Sequence, residues 1–127
     1  MKLTKNFNLE EFACNDGTPV PEEFYDNVQE LAQNLQVLRD HLGSSIHINS
    51  AYRTHAHNSK VGGASKSQHL LAKAADIVSL KHTPWQVYTA IIQLISEGKM
   101  KQGGCGLYNT FCHYDIRGDK KRWDYRK

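Results

Sequence analysis

Ser67-Gln68-His69-Leu70-Leu71-Ala72-Lys73-Ala74-Ala75-Asp76-Ile77-Val78 passes from a polar turn into an apolar run with a single acid at its centre. Ala74 to Val78 reads as a short strand. A carboxylate placed there is costly unless it meets a cation or a metal. Of the 13 Asp and Glu residues, only Asp76 lies between His41 and Ser96, so no other acid in that stretch competes for the role. Upstream, Ile46 to Tyr52 alternates like a half-buried strand. Between the two strands, Arg53 to Ser67 is polar and carries Gly62-Gly63, which reads as a long loop of the kind that usually serves function. Further back, Phe24, Val28, Leu31, Leu35, Leu38 and Leu42 recur at helical intervals and predict a helix from Pro21 to Leu42. Pro21, Glu22 and Glu23 suit its start and Gly43 its stop. Leu9 to Ala13 predicts a short helical turn capped by Asn8. Downstream, Thr83-Pro84-Trp85-Gln86 opens a second helix that runs to about Glu97 and ends at Gly98. Its expected inward face is Trp85, Tyr88, Ile91, Ile92 and Ile95. Leu107-Tyr108, Phe111 to Ile116 and Arg122 to Tyr125 read as closing strands, the last two joined through Gly118-Asp119. Helices first and strands later predict an α+β domain, with a small antiparallel sheet packed against helices.

A chain of 127 residues that is 39% hydrophobic and 23% charged fits one folded domain over 1–127 and argues against disorder. The longest apolar candidate, Val87 to Ile95, is broken by Thr89 and Gln93, so no membrane insertion is expected. Met1 to Glu11 begins with basic residues but has no apolar stretch behind them, unlike a secretory signal. A net charge of +3, with no basic helix, argues against a nucleic-acid partner. Three cysteines cannot complete a disulfide framework. Cys14 stands alone in sequence, and Cys105 and Cys112 form no paired knuckle, which disfavours a cysteine-based zinc site.

The chemistry gathers around the histidines. His69 precedes Asp76 by seven residues, about 10 Å along a helix and more than twice that along a strand. Both reach one metal only if the chain bends between them, which the small residues Ala72 and Ala74 permit. In Phe111-Cys112-His113-Tyr114-Asp115-Ile116, His113 and Asp115 share one strand face, while Cys112 and Tyr114 take the other. Two histidines and one carboxylate leave a fourth tetrahedral position for water, as in catalytic zinc sites. The spacing alone leaves a second reading open, of core histidines and an ion-paired aspartate.

Ser50-Ala51-Tyr52-Arg53, Val61-Gly62-Gly63-Ala64, Ser67-Gln68-His69 to Ala74-Ala75-Asp76, and Gly106-Leu107-Tyr108 to Phe111-Cys112-His113-Tyr114-Asp115 follow one another in order. Together they resemble the zinc D-Ala-D-Ala carboxypeptidase and murein endopeptidase family, with its Hedgehog/DD-peptidase fold. Phe7 to Cys14 resembles the start of bacterial and phage members. The resemblance implies one Zn2+ held by His69, Asp76 and His113. It implies that Arg53 engages substrate carboxylate or developing negative charge, for which a guanidinium fork is suited. Ser67 matches a serine that could bond the substrate backbone or satisfy its own turn. Tyr108 could donate to the oxyanion or be a strand-face aromatic.

Two departures stand out. Ala72 replaces a usual glycine, a change that a turn with negative φ tolerates. Thr110 occupies the position where many members carry the general base. The members this chain most resembles carry instead His, any residue, Asp, matched by His113 and Asp115, which implies Asp115 as the base or as an orienting partner for a ligand. His55 and His57 could form a second metal site or simply be solvated. Cys112 reads as buried filler, Trp85 and Trp123 as core or hairpin aromatics. The tail from Arg117 to Lys127 has six Lys/Arg against two Asp and reads as a solvated edge. The resemblance implies a monomeric peptidase acting on peptidoglycan stem peptides or cross-links. Lacking a signal, it would be made in the cytoplasm and reach the wall by release or export, as in a phage. The rival is a non-catalytic zinc-containing binding module of the same fold.

Overall fold

In the computed structural model, which describes Met1–Lys127, three helices pack around one five-stranded sheet. The helices are α1 (Tyr25–Leu42), α2 (His55–Lys60) and α3 (Pro84–Ser96). The strands are β1 (Ile46–Ser50), β2 (Ala74–Ser79), β3 (Gly104–Leu107), β4 (Cys112–Asp115) and β5 (Lys121–Asp124), in the spatial order β1-β2-β4-β3-β5.

The α+β expectation holds, but the sheet is mixed. β1, β2, β4 and β3 pair antiparallel in turn, whereas β5 pairs with β3 in parallel. A hairpin between β4 and β5 cannot form because both edges of β4 are already taken, by β2 and β3. The chain reverses at Gly118 (φ +98) and β5 passes to the free edge beyond β3. It runs opposite to β4 and therefore in the same direction as β3.

The apolar stripe of α1 is buried at Val28, Leu31, Ala32, Leu35 and Leu38. A single 3-10 turn at Glu22–Phe24 leads into it, and Gly43 ends it with φ +67 and an N–H donated to the Arg39 carbonyl. For α3 the inward face differs from the expectation. Val87, Ala90, Ile91 and Leu94 are the buried positions, while Tyr88, Ile92 and Ile95 sit partly buried at its margins. Trp85 is 52% exposed and carries the Arg126 guanidinium 5.4 Å from its ring centroid. The four-residue step from Val87 to Ile91 continues through Leu94, so the core stripe lies one helical face away from Trp85. Thr83 accepts the Gln86 N–H at 3.2 Å and Gln86 returns a bond to the Thr83 N–H at 2.9 Å, the reciprocal cap expected there.

The core lies between the helices and one face of the sheet. Ala75 and Ile77 of β2, Cys112 and Tyr114 of β4, and Cys105 of β3 belong to it. Alternation then turns Asp76, His113 and Asp115 to the opposite face. None of the helices is long and apolar enough to cross a membrane.

Candidate metal centre

Strand register brings two of the three expected ligands together directly, since Asp76 lies opposite His113 across β2 and β4. His69 arrives from a 3-10 turn, Gln68–Leu71, whose start is capped by the Ser67 hydroxyl accepting the His69 N–H at 3.2 Å. The required bend falls at Ala72, which has φ +57. The negative φ expected for this residue is therefore wrong. Ala72 holds the left-handed conformation that the usual glycine adopts without cost, at an expense of about 1 kcal/mol.

His69 Nε2 stands 3.3 Å and His113 Nδ1 3.0 Å from the same oxygen, Asp76 Oδ1. The far nitrogens fix the tautomers. His69 Nδ1 is 2.6 Å from the Ala51 carbonyl, which can only accept, so that nitrogen carries the proton. His113 Nε2 lies 2.7 Å from Asp115 Oδ2 and donates to it. With both rings neutral, two imidazole lone pairs and a carboxylate oxygen thus converge on one point, where either a proton or a metal must join them. Such a set needs a cation, and two nitrogens with one oxygen suit zinc. All three residues are buried, and their ligand atoms lie within 4.8 Å of one another.

The charges respond accordingly. Burial works against the Asp76 carboxylate, but hydrogen bonds from His113 and His69 outweigh it and hold its pKa well below the usual carboxylate range. Burial likewise opposes charge on His113, yet Asp115 and Asp76 on either side raise its pKa.

Asp115 does not line the cleft. It is fully buried behind His113, on the ring edge remote from Asp76, where it also accepts from the Gly104 N–H at 2.9 Å and pairs with Arg117 Nη2 at 2.7 Å. Gly104 is required here, because a Cβ would stand 2.2 Å from Asp115 Oδ2. Thr110 is exposed outside the group.

Arg53 reaches the centre through Nη2, 3.1 Å from Asp76 Oδ2, so the two oxygens of one carboxylate serve different partners. Ser50 Oγ and Asn58 Oδ1 accept from Nε and Nη1 at 3.0 and 3.3 Å and fix the guanidinium. Asn58 belongs to α2, a helix within what the sequence presents as loop. Gly63 packs on it so tightly that a Cβ would lie 2.0 Å from Asn58 Oδ1. Gly63→Ala is therefore expected to displace Asn58, free Arg53 and cost about 1–3 kcal/mol, with zinc content retained. Denaturant unfolding and metal analysis of the variant check this.

The centre opens into a cleft of about 590 Å³. Gly62, Gly63 and Ser67 form part of its wall, and Tyr108, Trp123 and Tyr125 another. Tyr108 Oη accepts from Trp123 Nε1 at 3.0 Å, and burial raises its pKa, so it keeps a proton to give. Trp123 lies with its ring centroid 5.0 Å from that of His113 and covers Gly106, where a Cβ would be 2.2 Å from the indole. Reading Trp123 as a core or hairpin aromatic and Arg117 as part of a solvated edge misses both as cleft residues. The signal available was alternation, which sets Lys121, Trp123 and Tyr125 on one side of the last strand. Cys112 is buried in the core, as alternation predicts.

A family model described as Peptidase M15 matches residues 5–115, which include all three converging ligands. No curated protein matches the chain closely enough to stand beside it.

Proposed function

Because the chain belongs to the peptidase M15 family, and so to the metallopeptidases, we propose that it cuts peptide bonds in peptidoglycan stem peptides or their cross-links, with one zinc ion held by His69, Asp76 and His113. The observation that carries the substrate reading is the charge of the cleft. Arg53, Lys66, Arg117 and Lys121 line it, against Asp76 as its one acid. Stem peptides of bacterial walls carry free carboxylates, which such a surface attracts and a guanidinium grips in a fork.

Zinc bound there would polarise the scissile carbonyl and acidify water. The chain supplies the rest. Arg53, fixed by Ser50 and Asn58, presents its charge beside Asp76 and can hold a substrate carboxylate or the developing oxyanion. Tyr108 already accepts from Trp123, so its own O–H is free to donate into the cleft. Ser67 Oγ accepts the His69 N–H and keeps its hydroxyl proton for a substrate carbonyl. Asp115 holds the His113 ring and its tautomer, a positioning role. Tyr108→Phe is expected to lower kcat on the order of 100-fold while zinc content and KM stay near wild type. Steady-state kinetics with a muropeptide substrate read this.

One observation favours a second reading, of a non-catalytic binding module. Asp76, the only carboxylate lining the cleft, is already engaged by two histidines and Arg53. Mass spectrometry of sacculi and defined muropeptides incubated with zinc-loaded protein separates the two. Release of one terminal alanine identifies a carboxypeptidase, and conversion of cross-linked dimers to monomers an endopeptidase. Unchanged walls of several chemotypes, with zinc still bound, would favour the binding module.

A further inference from the structure

A second set of donor atoms converges outside the cleft. Cys14 Sγ, a carboxylate oxygen of Asp16 and a ring nitrogen of His57 lie within 4.8 Å of one another, and none of these residues lines the cleft. They come from two segments that the fold ties into one unit. The Cys14 N–H donates to the Thr18 carbonyl at 2.8 Å and the Gly17 N–H to the Cys14 carbonyl at 2.9 Å, with Gly17 at φ +96 making the turn. Asp16 accepts from the Thr18 N–H and from Thr54 Oγ1, each at 2.9 Å. Thr54 in turn accepts the His57 N–H at 3.1 Å and so caps α2. These bonds hold the Asp16 carboxylate and the backbones of Cys14 and His57 close together before any ion arrives.

We propose that Cys14, Asp16 and His57 form a second metal site for a zinc-class divalent cation, clamping the loop before Thr18 onto the first turn of α2. Sulfur, nitrogen and oxygen in one group suit zinc; calcium and magnesium take oxygen ligands. Zinc–ligand bonds of about 2.0–2.3 Å put tetrahedral donors roughly 3.3–3.8 Å apart, so only a small closure by side-chain rotation is needed. Binding replaces the thiol proton of Cys14, which leaves to solvent, and a fourth position stays open to water. Cys14 is buried while Asp16 is exposed and His57 half-buried, which gives an ion an entry path from one side. His55, exposed beside them, is not part of the group. Thr54 directly follows Arg53, so a filled site braces the backbone next to the cleft's guanidinium.

Cobalt(II) distinguishes this site from the first one. His69, Asp76 and His113 contain no sulfur, so a thiolate-to-cobalt charge-transfer band in the near ultraviolet reports Cys14 alone. Titration of the full chain with cobalt is expected to reach two equivalents, with that band present. Cys14→Ser and His57→Ala should each lose the band and one equivalent, whereas His69→Ala should lose one equivalent and keep the band. Because Cys14 is buried, Asp16→Asn provides a further variant that leaves the thiol in place, and it should weaken the band's affinity at least tenfold. A wild-type chain without the band overturns the proposal. So does a band that survives His57→Ala and Asp16→Asn and vanishes only with Cys105→Ala or Cys112→Ala. Retention of the band in His69→Ala separates this outcome from any failure of the peptidase reading.

Discussion

His113→Ala is expected to remove one zinc equivalent and to lower hydrolysis by about 10³-fold or more, the scale of losing the metal's electrostatic contribution. Three acceptors meet at one point in the native centre, and the substitution leaves only His69 Nε2 and Asp76 Oδ1 to hold an ion. It also deprives buried Asp115 of the imidazole at 2.7 Å, leaving Arg117 as its remaining charged partner. His69→Ala should behave alike at the metal, because its nitrogen faces the same carboxylate oxygen. Metal analysis of both variants beside a muropeptide assay checks the assignment. A His113→Ala chain that keeps its full zinc content and still cuts would show that the ligands lie elsewhere.

Asp115→Ala should have the next largest effect, and its pattern distinguishes the two roles that the sequence leaves open. A general base could be removed with zinc affinity untouched and turnover gone. An orienting carboxylate behaves otherwise. Its loss is expected to weaken zinc binding about 10–100-fold, and excess zinc should restore part of the turnover. Folding suffers as well. Burial opposes the Asp115 charge, but Arg117 and His113 outweigh it and hold the pKa well below the usual range. Removing one partner of a buried pair costs about 3–5 kcal/mol. A depressed carboxylate pKa stabilises the fold above the unfolded value near 3.9 and loses that contribution as pH falls through the folded one. The difference in stability between wild type and Asp115→Ala should therefore be full at neutral pH and shrink only in strong acid. Turnover abolished with wild-type zinc affinity would return Asp115 to the role of base.

The convergence of His69, Asp76 and His113 was legible because its parts obey local rules. Alternation in Cys112 to Asp115 puts His113 on the face away from the core, and a lone acid in an apolar strand marks Asp76. The need for a bend after His69 was also legible, though its form at Ala72 was not: alanine with φ +57 defies the intrinsic preference of the residue. Two kinds of information were missing. Alternation shows that His113 and Asp115 share a face but not which imidazole nitrogen each neighbour meets, and that detail separates a base from a positioning group. The path of β5 depends on which edges of β4 remain free, a property of the whole sheet that Gly118-Asp119 cannot carry. Helix α2 escaped notice because it is short and nearly without an apolar face, with Asn58 its one buried residue.

The parallel edge strand divides the molecule's labour. Asp76 faces His113 through the pairing of β2 with β4, whereas β5 pairs with the sheet through β3. The family match ends at residue 115, yet Arg117, Lys121, Trp123 and Tyr125 of the cleft wall all follow it. The strand pairing that aligns Asp76 with His113 and this part of the cleft wall therefore sit on separable stretches of chain. Under the proposed function the outer strand is an adjustable faceplate: Lys121 and Tyr125 can be rewritten to suit a different substrate, while Trp123 against His113 and the strand pairing that aims the ligands are left as they stand.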